Sequence, residues 1–121
     1  MRGQAHSQLL KDMDHTFYKD FRISRGFNYR YFYSPAQGSR PTLYFLHGNP
    51  SLASDWRRMV LYFMTRGFGV LAPDMLGYGD TDKPIDPAVY VASGICKDLV
   101  ELLDHERPGG VITTGHDWYV R

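Results

Sequence analysis

Cysteine is nearly absent from this chain: Cys96 stands alone among 121 residues. A single thiol excludes an intrachain disulfide framework and a cysteine-based metal site. Cys96 falls in a helical pattern, so a small buried core residue is its expected role. Long apolar runs are lacking too. The longest, Met59 to Met64, falls far short of the roughly 20 residues that span a bilayer. No apolar segment follows Met1-Arg2-Gly3-Gln4-Ala5-His6 in the manner of a signal peptide. Nor is there an excess of charge of one sign. The formal net charge of +1 gives no reason to expect nucleic acid or an acidic surface as partner. Repeats and low-complexity stretches are missing. These absences leave a soluble, cytoplasmic chain as the expectation, with neither nucleic acid nor membrane as partner.

What is present is ordinary globular chemistry, 43% hydrophobic and 22% charged, in a length that makes one domain or part of one. Residues 1–15 are polar and without clear periodicity, and read as a leader to a domain over residues 16–121. Phe17, Phe21 and Ile23 mark a first strand over Thr16 to Ile23, Arg25-Gly26 a turn, and Asn28 to Tyr33 a second strand, together a hairpin. The aromatic set Phe27, Tyr29, Tyr31, Phe32 and Tyr33 reads as hairpin packing rather than as a stacking platform. After the turn-rich stretch Ser34 to Pro41, Thr42 to Leu46 lacks polar alternation, as a strand buried on both faces of a parallel sheet should.

A helical pattern follows, capped by Ser54, with Trp56, Met59, Val60 and Phe63 on one face and Arg66-Gly67 at its end. Phe68 to Ala72 is a further buried strand, ended by Pro73-Asp74, and Met75 to Pro84 is a glycine-rich loop. Asp86-Pro87 then starts a helix running to about His105, with Ala92, Ile95, Cys96, Leu99 and Leu103 turned to the core. Arg107-Pro108-Gly109-Gly110 breaks it, and Val111-Ile112-Thr113-Thr114 reads as a short buried strand. Strands alternating with helices predict an α/β fold: a hairpin leading into a mostly parallel sheet covered on both faces, with ligands at the strands' carboxyl ends.

Two motifs lie at such ends: His47-Gly48-Asn49-Pro50 after one strand, and Gly115-His116-Asp117-Trp118 after another. A strand ending in Gly-x-nucleophile-x is how a strand-to-helix nucleophile elbow is built. The nucleophile position holds Asp117, not Ser or Cys. An ordinary carboxylate is ionised at neutral pH, so Asp117 needs no base for a first attack, unlike a serine. Attack at an sp³ carbon bearing a leaving group gives an alkyl ester, and an epoxide or a carbon–halogen bond meets that requirement. The pair His47 and His116 has no third ligand spaced to join it in a metal site; no metal and no cofactor are expected.

Phe45-Leu46-His47-Gly48-Asn49-Pro50, the stretch Ala72-Pro73-Asp74-Met75-Leu76-Gly77-Tyr78-Gly79-Asp80-Thr81-Asp82-Lys83-Pro84, and Gly115-His116-Asp117-Trp118 occur in this order. Together they resemble the N-terminal part of α/β-hydrolases of the epoxide hydrolase group. The resemblance implies the N-terminal part of an α/β-hydrolase fold, with a small apolar epoxide as substrate. Asp117 would be the nucleophile, and the backbone amides of Asn49 and Trp118 the oxyanion hole. His47, Gly48, Pro50, Gly115 and His116 would shape the site without reacting. Tyr78-Gly79-Asp80 would be architectural. His-Gly-Asn-Pro and Asp-Trp also resemble haloalkane dehalogenases, where an Asn side chain and a Trp indole hold the halide; Asn49 carries that alternative.

Two departures from the pattern stand out. Tyr119 occupies a position where family elbows place a small residue, usually glycine. No residue after Trp118 matches the family's cap domain, catalytic acid or catalytic histidine. The chain is therefore expected to be truncated after the nucleophile strand, unable to turn over by itself, and poorly soluble because that strand would present an unpaired apolar edge. A non-catalytic fragment or interaction protein is the remaining alternative. Nothing in the sequence points to an oligomeric state.

Overall fold

A computed structural model describes the backbone of residues 17–46 and 53–115, and the side chains of 17–46 and 57–113. The expected leader over residues 1–15 lies outside the described residues. The elements run β1 (Tyr18–Arg22), β2 (Asn28–Ser34), β3 (Thr42–Leu46), α1 (Ala53–Met64), β4 (Gly69–Pro73), a 3-10 turn (Pro87–Tyr90), α2 (Ala92–Glu106) and β5 (Val111–Gly115). The strands form one sheet in the order β1-β2-β4-β3-β5. The β1–β2 hairpin is antiparallel and β2 pairs antiparallel with β4. β3 is parallel to β4 on one side and to β5 on the other.

Period-two alternation divides the sheet's side chains between two cores. Leu43 and Phe45 of β3, Val70 and Ala72 of β4, and Phe32 of β2 pack with Val60 and Leu61 of α1. Tyr44, Leu71, Tyr29 and Tyr31 point the other way, onto Ile95, Leu99 and Leu102 of α2. Both faces of the sheet are thus covered, and β3 and β4 are apolar on both faces as the uninterrupted runs required. The hairpin aromatics Tyr29, Tyr31 and Phe32 are buried in these cores.

Several readings are corrected. Ser54 is not the cap of α1; the helix already includes Ala53, so Ser54 lies in its first turn. The helix expected from Pro87 to His105 is two elements. Asp86 caps only the 3-10 turn, its carboxylate accepting from the Ala88 N–H at 3.0 Å. Val91 then turns extended before α2 begins. Residues at i and i+3 share a face in both helix types, so apolar spacing could not show the break. Cys96 is exposed rather than buried, Ala92 is exposed as well, and Leu102 takes the place in the core. Met59 is turned outward, and Leu61 is buried in its stead. β5 is not a buried strand: Ile112 is 51% exposed and Thr113 is exposed, because among the described residues β5 is the sheet's edge.

α2 is held to the hairpin by polar groups as well as apolar ones. Asp98, 1% exposed, accepts from Arg25 Nε and Nη2 at 2.9 and 2.5 Å and from the Tyr29 hydroxyl at 2.7 Å. Asp98 raises the pKa of the Arg25 guanidinium beyond its ordinary value, against the opposing effect of burial. One turn on, Glu101 accepts from the Ser24 N–H and hydroxyl at 2.7 and 2.9 Å. At the helix end, Glu106 accepts from the Tyr31 hydroxyl at 2.5 Å and pairs with Lys19 at 3.3 Å. The Phe21 and His105 rings stack beside it, 4.0 Å apart. The Tyr44 hydroxyl donates to the Leu99 carbonyl at 2.7 Å, deep in the core.

Asp98→Ala would remove the carboxylate that the Arg25 guanidinium and the Tyr29 hydroxyl share. Because the arginine side chain is 30% exposed, the loss should sit at the low end of that for a broken buried pair, about 3 kcal/mol, read from urea unfolding. A loss below about 1 kcal/mol would show the pair to be dispensable.

Burial raises the phenol pKa of Tyr31, Tyr33 and Tyr44, with the hydrogen bond to Glu106 adding at Tyr31 and the Glu106 charge at Tyr33. In the unfolded chain these phenols ionise near pH 10, whereas the fold keeps them protonated. Their contribution is therefore complete below about pH 10 and is lost as pH rises above it. The urea midpoint should hold to about pH 9 and fall by about pH 11, and the fall should shrink in Tyr44→Phe; an unchanged midpoint would contradict the burial.

Candidate active site

β3 and β5 run parallel and in register to their last residues, with Leu46 opposite Gly115. The chain therefore leaves two adjacent strands at the same level of the sheet's carboxyl end, one continuing into His47-Gly48-Asn49-Pro50 and the other into His116-Asp117-Trp118. Gly115 closes β5. His47, Gly48, Asn49, Pro50, His116, Asp117 and Trp118 lie outside the described residues. The placement that the sequence motifs require is visible up to their thresholds: strand neighbours, same direction, same level.

The third wall at this end is the loop after β4, the strand on the other side of β3. Its fold is dictated by Asp74, whose Oδ2 accepts from the Asp80 N–H at 3.1 Å. The buried Thr81 hydroxyl donates to the Asp74 carbonyl at 2.6 Å and accepts from the Arg30 N–H at 2.9 Å. Asp82 clamps the start of β2, its Oδ2 accepting from the Asn28 N–H at 2.8 Å while its own N–H donates to the Asn28 carbonyl at 2.9 Å. Met75 and Leu76, both fully buried, anchor the loop in the α2-side core.

Two glycines are required here. Gly79 has φ +54, and a Cβ on it would fall 2.3 Å from Asp74 Oδ2. Gly77 has φ +88, and a Cβ would meet the Tyr90 ring at 2.9 Å. That ring is held in place by its hydroxyl, which donates to the Pro84 carbonyl at 2.6 Å. Tyr78-Gly79-Asp80 is thus tied up in shaping the loop. Asp74, Thr81 and Tyr90 were not read as positioning residues from sequence. The signal for Asp74 and Thr81 was available, since short polar side chains flanking a glycine-rich turn commonly bond its backbone.

Among the described residues, no three His, Cys, Asp or Glu side chains gather as metal ligands would, and no helix is long and apolar enough to cross a membrane.

A family model for the alpha/beta hydrolase fold matches residues 41–118, from the start of β3 through the elbow motif. This chain belongs to the α/β-hydrolase fold family. Epoxide hydrolase 2 of Siraitia grosvenorii is 46% identical over 81 residues, which cover 67% of this chain and 26% of that protein. Bifunctional epoxide hydrolase 2 of Mus musculus is 38% identical over 81 residues, covering 67% of this chain and 15% of that one. The crystal structure of an epoxide hydrolase from Vigna radiata superposes with a TM-score of 0.73 at 32% identity, over 84% of this chain and 30% of that one. This α/β-hydrolase-fold chain therefore spans about a quarter of the Siraitia relative it matches.

Gly79→Ala should destabilise the chain by about 1–3 kcal/mol through the combined backbone strain and carboxylate clash. In an Asp74→Ala background the clash is gone, so the same change should cost visibly less, and a double-mutant cycle from urea unfolding reads the difference. Additive losses would show that Asp74 does not set the loop.

Proposed function

We propose that this chain supplies the nucleophile and oxyanion hole of an epoxide hydrolase. The observation that supports the reading is the register of β3 against β5, whose level, neighbouring ends are followed in sequence by the motifs that contain Asn49 and Asp117-Trp118. The similarity to epoxide hydrolases from a plant and a mammal supports the choice of substrate. In the proposed first step one Asp117 carboxylate oxygen attacks an epoxide carbon. The C–Oδ bond forms, the ring C–O bond breaks, and the ring oxygen takes a proton from solvent water, which is left as hydroxide, to become a hydroxyl. The product is a hydroxyalkyl ester on Asp117.

Water must then attack the ester carbonyl, and the amides of Asn49 and Trp118 are assigned to the oxyanion that develops there. Activation of that water calls for a base such as a His–acid pair, and no residue of this sequence matches the family's pair. The chain by itself is therefore proposed to stop at the ester. Asn49 also suits a leaving halide, which makes halide release from a haloalkane by the whole parent protein the measurement that would favour dehalogenase chemistry instead.

Incubation with a reactive epoxide such as styrene oxide should add one epoxide mass per chain by intact-mass spectrometry. The adduct should persist, and Asp117→Asn should abolish it. An unmodified protein, or labelling that survives Asp117→Asn, removes Asp117 as the nucleophile.

A further inference from the structure

We infer that the amino end of the sheet, opposite the candidate active site, binds a soluble phosphate-bearing anion through Arg40, Arg66 and Arg107. Parallel pairing gathers at that end the segments that lead into β3, β4 and β5. Residues 35–41, 65–68 and 107–110 each bring one arginine, all three exposed, and contain no Asp or Glu. Of the carboxylates at the end of α2, Glu106 is taken by Lys19 and Tyr31, and Asp104 lies three residues before Arg107 in sequence. The opposite end carries the reverse sign, with Asp74, Asp80, Asp82 and Asp86 against Lys83 in the loop after β4. A net charge of +1 conceals this separation.

Two of the arginines are held in place before any ligand arrives. Arg40 Nε donates to the Arg66 carbonyl at 2.8 Å, and its guanidinium lies over the Phe68 ring, 5.9 Å from the centroid. Arg66 Nη1 donates to the Tyr62 carbonyl at 3.0 Å, with the guanidinium 3.5 Å from the Tyr62 ring centroid. Both terminal nitrogens of Arg40, and Nε and Nη2 of Arg66, have no partner among the described residues. A planar fork with its rotamer already fixed suits the oxygens of a phosphate and loses less entropy on binding than a free side chain. A membrane headgroup fits less well: lipid-binding clusters run to about 4–8 basic residues, and these three connections bring three.

The test is titration of the whole chain with inorganic phosphate, chloride balancing the ionic strength, followed by amide NMR shifts. Saturable shifts at Gly67, Phe68 and Gly109 are expected. The double variant Arg40→Gln/Arg66→Gln should bind about tenfold more weakly, while Arg22→Gln, on the hairpin at the other end of the sheet, should bind unchanged. If the double variant does not fold, Arg107→Gln alters a side chain with no hydrogen bond among the described residues and should still weaken binding several-fold. Shifts that chloride reproduces, or binding that survives the double variant or Arg107→Gln, overturn the site. Capture by phosphatidylserine vesicles without saturable binding of inorganic phosphate overturns the soluble ligand in favour of a membrane surface.

Discussion

The pairing of β3 with a parallel strand on each side is the constraint on which the rest of this structure depends. Thr42 stands opposite Gly69 on one side and opposite Val111 on the other, so three chain segments start level and run the same way. Everything distinctive about the two ends of the sheet follows. At the carboxyl end the chain leaves toward the His-Gly-Asn-Pro and Gly-His-Asp-Trp motifs and the clamped loop after β4. At the amino end it arrives through three arginine-bearing connections. The core enforces this pairing. A slip of one residue in β3 would turn Leu43 and Phe45 away from α1 and bring Tyr44 to the wrong face, at about 1.5–3 kcal/mol for each large apolar side chain moved out of its core.

Burial alone does not explain how the hairpin and α2 stay together. Asp98, Glu101 and Glu106 lie along α2 facing β1, β2 and the turn between them, and each accepts hydrogen bonds across the gap. No buried side-chain nitrogen or oxygen among the described residues lacks a hydrogen-bond partner. Complete satisfaction matters because a carboxylate as enclosed as Asp98 costs several kcal/mol to desolvate, recovered only when guanidinium and hydroxyl are both in place. The hairpin is thereby fixed to the same helix that packs under Tyr44 and Leu71, and the sheet and its α2-side core become one cooperative unit.

How much of this was legible in the sequence varied with the kind of signal. β3 emerges with the bounds read for it, and β4 within one residue, because a run without polar alternation has one physical meaning when both faces are covered. The hairpin was legible from its aromatics and its glycine turn. The break at Val91 was not, since apolar spacing carries across it. Ile95 and Leu99 fit two neighbouring stripes of α2, and only the packing shows that the buried one runs through Asp98 and Leu102 rather than through Ala92 and Cys96. Long-range polar pairs such as Arg25 with Asp98, 73 residues apart, have no local signature at all. The motifs of the candidate site were conspicuous in sequence, and the structure adds the neighbouring strand ends from which they depart.

β5 differs from the strands beside it in what holds it. Val111 is half-buried and touches the α2-side core, but Ile112 and Thr113 are exposed, so little apolar burial opposes a slip of this strand. Its place is fixed by its ladder with β3 and by the Thr42 N–H donating to the Gly110 carbonyl at 2.8 Å, just ahead of it. Backbone pairing on one side specifies register far more weakly than a buried face does. The strand that delivers Gly115, and beyond it the proposed nucleophile, is thus less firmly anchored than the strand that leads to Asn49. The proposed oxyanion hole, with one amide from the motif after each strand, would require both strand ends to hold still to within a fraction of an ångström. Cover over Ile112, and over the edge that β5 forms among the described residues, would then steady the ends of β3 and β5 against each other as it removes apolar surface from water.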